Sequence, residues 1–306
     1  MPSGPTSTFR LDGDSMSIAT HSAAIPASAS PTKAVASTAA AVKAAPRKRK
    51  PFQWKNSFWI ANLLRIAMIA AVLAAWQIAA DQGAINPFLM GSPAGIYKEA
   101  LRLVETGQLW QDTFATVHAT IIGFLVGSLS GAFFGLLLWC FPYVARILDP
   151  FFVALNGLPK IALAPMIIIW FGSGMLSKVA LAFVATFIVS LLSAYQGTHQ
   201  IDSSLVNLMR SLGATKRLIF LKLVIPATLP WIIASFRLNI GFALIAEIGG
   251  EFIASDRGLG RMIFVSGNLF NLNAVWVGIM MLMAVAVTLY AIVSRVEKNI
   301  LPWNSK

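Results

Sequence analysis

Charge and cysteine are what this chain has least of. Of 306 residues only 12% are Asp, Glu, Lys or Arg, against 57% hydrophobic. That is about half the charge fraction of a soluble domain of similar size, so the composition is that of an integral membrane protein. The single cysteine, Cys140, lies inside an apolar run, which excludes a disulfide framework and a thiolate metal site. The histidines, His21, His118 and His199, are scattered, and a metal cluster is not expected. His118 stands in an apolar run without an evident nucleophile or base beside it, so no catalytic set is expected either. No G-x-x-x-x-G-K-[ST] loop is present to cradle phosphates. No cofactor is implied.

Acidic residues are the scarcer sign, 12 against 24 basic ones, a net charge of +12. Such a surplus can signal nucleic acid, but its distribution argues otherwise. Residues 1–55 hold eight basic and two acidic residues, half of the surplus. A positive block just before a first apolar run reads as a cytoplasmic anchor, and no nucleic-acid partner is expected. Residues 1–46 are rich in Ala, Ser, Thr and Pro without sustained periodicity. The division is therefore a disordered basic tail, 1–55, and a transmembrane domain, 56–306. A cleaved signal peptide is the rival, but the basic cluster RKRK at 47–50 comes too late and the apolar run behind it is too long.

What the chain has in abundance is long apolar runs. A spanning helix needs about 20 apolar residues, and six stretches qualify: 58–80, 113–140, 147–171, 176–196, 226–248 and 272–295. Lys and Arg in the connections set the orientation. Arg146, the loop 197–222 (Arg210, Lys216, Arg217, Lys222) and the tail residues Arg295, Lys298 and Lys306 lie on the side of the N-terminal block. The other connections balance Lys98, Arg102, Lys178, Arg257 and Arg261 against Asp81, Glu99, Glu105, Glu251 and Asp256. The expectation is an all-α membrane protein of six spans with both termini cytoplasmic. Between the first two spans, NPFLMGSP (86–93) reads as an irregular crossing and 94–107 as a short amphipathic helix ended by Gly107. Trp170, Trp276 and Trp303 fit interfacial belts.

The basic segment NLMRSLGATKRLIFLKLVIP, residues 207–226, resembles the cytoplasmic loop signature of binding-protein-dependent ABC import permeases, E-A-A-x3-G-x9-I-x-L-P. Gly213 and Pro226 fall at the matching spacing, with Leu223 and Ile225 as the apolar pair. Asn207, Leu208 and Met209 stand where the family has Glu-Ala-Ala, so an ion pair made by that acid in relatives is absent here. LPKIALAPMIIIWFGSGMLSK (158–178) and EFIASDRGLG (251–260) are similar to the nitrate/sulfonate/taurine branch. The likeness covers about residues 58–300.

The resemblance implies the six-helix fold of type I ABC importer permeases, in a bacterial inner membrane and working as a homodimer. Its partners would be a separate ABC ATPase, a periplasmic or lipid-anchored solute-binding protein and a second permease copy. The coupling helix that the family seats in a groove of the ATPase falls at about 207–217, with Asn207, Leu208, Met209, Arg210, Gly213, Ala214, Lys216 and Pro226 as its residues. Physical chemistry suits that assignment: Ser203 and Ser204 offer a helix cap, and Gly213 permits a turn. The solute implied is small and anionic, such as nitrate or a sulfonate; a vitamin precursor is the alternative. A gradient-driven secondary transporter is a more distant reading, since more spans, inverted repeats and paired intramembrane acids would be expected of it.

Candidates for the translocation pathway are Pro159, Pro165, Arg237, Asn239 and Glu251. The prolines free backbone carbonyls at membrane depth, which are tolerated facing protein or a wet cavity, though a kink that only improves packing is the plainer reading. Lys160 between them can snorkel. Arg237 with Asn239 would favour an anion, or else pair with Asp149 or Glu247. Glu247 is expected at a solvated helix end. Gly123, Gly127, Gly131 and Gly135 recur every four positions and predict one close-packed helix face.

Overall fold

The structure is a computed structural model and describes residues 57–300. The tail 1–55 expected to be disordered, Trp303 and Lys306 lie outside the described residues.

Among the described residues every regular element is helical. Beside a single helical turn, Pro87–Met90, and a 3-10 turn, Lys160–Leu163, they are in chain order α1 (Ser57–Asp81), α2 (Pro93–Glu105), α3 (Gln108–Leu138), α4 (Pro142–Gly157), α5 (Ala164–Phe171), α6 (Met175–His199), α7 (Ser203–Ser211), α8 (Lys216–Ile253), α9 (Leu259–Asn268) and α10 (Leu272–Ile300). Helices α1, α3, α6, α8 and α10 are long and apolar enough to cross a membrane, and the bent pair α4–α5 passes the same test when its two arms are taken together, which makes six.

That pair departs from a single helix over 147–171. After Gly157 the chain makes a 3-10 turn, Lys160–Leu163, and the two arms meet at 91°. Leu158 is extended (ψ 134), as a residue before proline prefers, and Pro159 has no N–H to continue the helix. Pro165 sits in the first turn of α5, where a donor is not missed. Pro159 makes the break; Pro165 opens the second arm.

The fifth span also differs, starting at Lys216 rather than near Pro226. Pro226 cannot donate, and just before it the chain widens into a π-turn, Phe220–Val224, through which the helix remains continuous.

Helices α3, α6 and α8 form the centre. The glycine face of α3 lies so close to α6 that no Cβ fits. At Gly123 it would strike Ala182, at Gly127 Thr186, and at Gly131 and Gly135 the carbonyls of Phe187 and Leu191. Small residues give helices in lipid this approach, and dispersion then holds them where hydrophobicity cannot. Asn239 of α8, fully buried, joins all three: its Nδ2 donates to Ser128 Oγ (2.9 Å) on α3 and to Ser190 Oγ (2.6 Å) on α6. Amphipathic α2 lays Ile96 and Leu103 onto a core that includes Val277 and Val285 of α10. Its N-cap Ser92 accepts from Gly95 N, and the Ser92 amide donates to Asn273 Oδ1 at 3.1 Å.

Candidate coupling hook and translocation face

Between α6 and α8 the chain makes a hook. Its helix, α7, is capped by Asp202, whose carboxylate accepts from Ser204 N at 2.8 Å, rather than by Ser203 or Ser204. That hydrogen bond holds the Asp202 carboxyl below the ordinary aspartate range. The C-terminus closes as a Schellman turn. Gly213 adopts φ 79, its N–H donates to Arg210 O and that of Ala214 to Met209 O, each at 2.9 Å. A side chain at such a φ is strained, which is why glycine is found there. Thr215 then caps the first turn of α8 through Leu218 N.

The hook is polar, with Asp202 and Arg210 as its charged residues, yet α7 buries no residue, and Leu205, Leu208 and Leu212 are 47%, 56% and 78% exposed. Asn207 and Arg210 are also exposed, while Met209 and Ala214 are half-buried across the turn. These leucines form an open apolar face on a short helix outside the long apolar spans.

The pathway candidates fall in different surroundings. Pro159 is exposed at the break of the third span. Beside it Lys160 donates Nζ to Asn156 O (2.9 Å) and lies 5.9 Å from the centre of the Phe242 ring of α8. A cavity of about 130 Å³ opens there, lined by Pro159, Lys160, Ala185 and Phe242. Among the described residues its partners are a carbonyl and a ring, with no carboxylate in ion-pair reach.

Arg237 pairs with neither Asp149 nor Glu247. It makes a bidentate ion pair with Glu297, on the last helix. No sequence periodicity relates residues 60 positions apart, and Glu297 lies among basic neighbours that disguise it as a tail residue. Asn239 is turned into the three-helix contact described above.

Glu251 is 1% exposed, at the end of α8 remote from the hook. Its carboxylate accepts from Gly260 N (2.7 Å), Thr116 Oγ1 (2.9 Å) and Lys178 Nζ (3.4 Å). Lys178 also donates to Arg257 O (2.6 Å), and Asp112 Oδ1 accepts from Gly258 N (3.0 Å). These bonds pin the loop 254–260 across the ends of α3, α6 and α8. Gly258, at φ 139, leaves no room for a Cβ beside the Glu251 carboxylate. Glu247, one turn before Glu251, is fully buried, and both its oxygens lack a hydrogen-bond partner. The solvated position expected for it is corrected: the loop and α9 fold back over this end of α8, so two acids lie buried together. Thr116 and Asp112, both on α3, and Lys178, on α6, escaped the sequence reading as partners of this end of α8 because they stand far from it in the chain.

Comparison with known proteins gives a consistent picture. Residues 123–302 match the family described as "Binding-protein-dependent transport system inner membrane component". The chain is 26% identical over 248 residues to the taurine transport system permease protein TauC of Escherichia coli (strain K12), covering 79% of this chain and 90% of that protein. It is 30% identical over 231 residues to the formylaminopyrimidine transport permease protein ThiX of Halalkalibacterium halodurans, covering 76% and 92%. Among solved structures, a chain of the MetNI methionine ABC transporter superposes with a TM-score of 0.55 at 17% identity, covering 61% of this chain and 93% of that one. This last likeness concerns the fold.

Proposed function

The chain belongs to the family of inner membrane components of binding-protein-dependent transport systems, and from that premise we propose that it couples to a separate ABC ATPase through the hook Asp202–Thr215. In this reading Asn207, Leu208, Met209, Arg210, Gly213 and Ala214 dock in the ATPase on the cytoplasmic side, while Lys216 and Pro226 frame the junction with α8. A second copy completes the pathway, and a solute-binding protein delivers cargo at the opposite end. ATP binding favours one arrangement of the dimer and hydrolysis restores the other; each must differ in contacts for nucleotide to shift the balance.

The observation that carries the reading is the exposed leucine face of α7, an apolar surface that the other described residues do not cover. Replacing Gly213 by Trp, or deleting 207–213, is expected to abolish co-purification of the ATPase and ATP-driven uptake while the helical core remains folded. Retention of both would defeat the proposal.

For the solute we favour a small anion. Support comes from Lys160 at the helix break, a cation with no carboxylate partner among the described residues that lines a small cavity, and from the taurine permease among the relatives. A neutral vitamin precursor is the second reading, favoured by the formylaminopyrimidine permease.

A further inference from the structure

Helix α7 grips the bundle weakly. It buries no residue, and a Cβ added at Gly213 would meet nothing within 4 Å. A push on the hook therefore reaches the bundle through the chain at its two ends. On the C-terminal side that route runs into α8, which stays continuous but widens at once into the π-turn Phe220–Val224 and then meets Pro226. A widened turn with a missing hydrogen bond bends more readily than regular helix. Along this route alone, displacement would be absorbed in the joint.

One side chain spans the joint from the hook side. Lys216 donates Nζ to the Cys140 carbonyl at 2.7 Å and lies 6.0 Å from the centre of the Trp139 ring. Cys140 follows the end of α3, where the last carbonyls lack helical partners and the helix dipole favours a cation. Trp139 stacks on Phe220 with centroids 5.8 Å apart. The first turn of α8 thus meets the end of α3 through an ammonium, a carbonyl and two rings. Helix α3 is in turn locked to α6 by the glycine face.

We infer that Lys216 is a positioning residue for coupling: a strut that carries hook displacement across the flexible joint into the α3–α6 pair, rather than a contact to the ATPase. The inference rests on the hook being the coupling element, and its test separates the two.

The full complex of permease and ATPase is reconstituted in liposomes with Cys140→Ser, which keeps the main-chain acceptor, and a bimane label on Leu269→Cys at the remote end, where the native leucine is 73% exposed. Lys216→Gln is expected to retain the ATPase at the normal stoichiometry. Its ATP-dependent fluorescence change should fall by roughly tenfold, the scale of a coupling free energy between distant sites. Lys216→Arg, which keeps the cation, should restore most of the signal. Trp139→Leu, which removes the ring but leaves the ammonium and its acceptor, should give an intermediate loss. An undiminished signal in Lys216→Gln overturns the strut, as does loss of the ATPase, which would make Lys216 a docking contact. If deletion of 207–213 leaves both ATPase and signal intact, or if ATP moves nothing while Lys216 is in place, the coupling reading itself falls.

Discussion

Lys178 and Glu251, 73 positions apart, meet at 3.4 Å where the lysine side chain is 7% exposed and the glutamate 0%. Their contact closes the end of the bundle remote from the hook, because the same two residues also hold Arg257 O and Gly260 N of the covering loop. Removing one partner leaves the other charge buried and unpaired, at a cost of about 3–5 kcal/mol. Glu251→Ala should therefore destabilise the protein by that amount in thermal unfolding in detergent. Glu251→Gln should cost less, since its one amide oxygen can still accept from Gly260 N while the amide NH2 turns toward Thr116 Oγ1, which can accept. The double change Lys178→Met with Glu251→Gln should lie closer to the parent than Glu251→Ala does. Wild-type stability of Glu251→Ala would show that the pair does not pin the loop.

The glycine face predicts a sharp contrast within one residue type. At Gly127 a methyl group would strike Thr186, so Gly127→Ala should destabilise by about 1–3 kcal/mol through overpacking. At Gly157, where an added Cβ meets nothing within 4 Å, the same substitution should be neutral or raise stability by about 0.4–1 kcal/mol. Equal unfolding temperatures for the two variants would contradict the packing described.

Asp202 gives the hook a pH dependence of known sign. Its carboxyl is held low by the amide of Ser204, so the ionised cap favours α7 above the ordinary aspartate pKa. That contribution is lost as pH falls below the ordinary aspartate range and through the depressed value. Hydrogen exchange of amides in 203–211 should be unchanged across neutral pH and accelerate only in acid. Asp202→Ala should accelerate it at every pH, whereas Asp202→Asn, a comparable cap, should keep protection and lose the acid transition.

Lys160 separates the two solute readings. In the reconstituted importer, Lys160→Gln should reduce uptake of a sulfonate such as taurine by roughly tenfold, the worth of one hydrogen bond to a charged group. Lys160→Arg should reduce it less. The ATPase should remain bound in both. Unchanged sulfonate uptake in Lys160→Gln would count against an anion passing that break.

Much of this arrangement follows from local pattern. Apolar runs long enough for spanning helices, the four-residue glycine period and the turn demanded at Gly213 are properties of neighbouring residues, and they are legible in order along the chain. Three features were misplaced for identifiable reasons. Pro159 and Pro165 look alike in sequence, yet one breaks a helix and the other begins one, depending on where the last turn ends. Ser203 and Ser204 are good caps, but Asp202 reaches the amide first. Glu247 looked solvated near a helix end, because the loop that buries it belongs to a later segment.

By itself the amino-acid order determined which segments enter lipid, which helix faces approach closely and where a basic turn interrupts the oil, since each depends on hydropathy and backbone conformation over a few residues. Only the tertiary structure decided that Glu251 meets Lys178, that Arg237 meets Glu297 and that Lys216 braces the end of α3. Those choices set the burial and pairing of charges far apart in the chain. In a low-dielectric interior the nearest counter-charge in space governs the energy, whatever the separation in sequence.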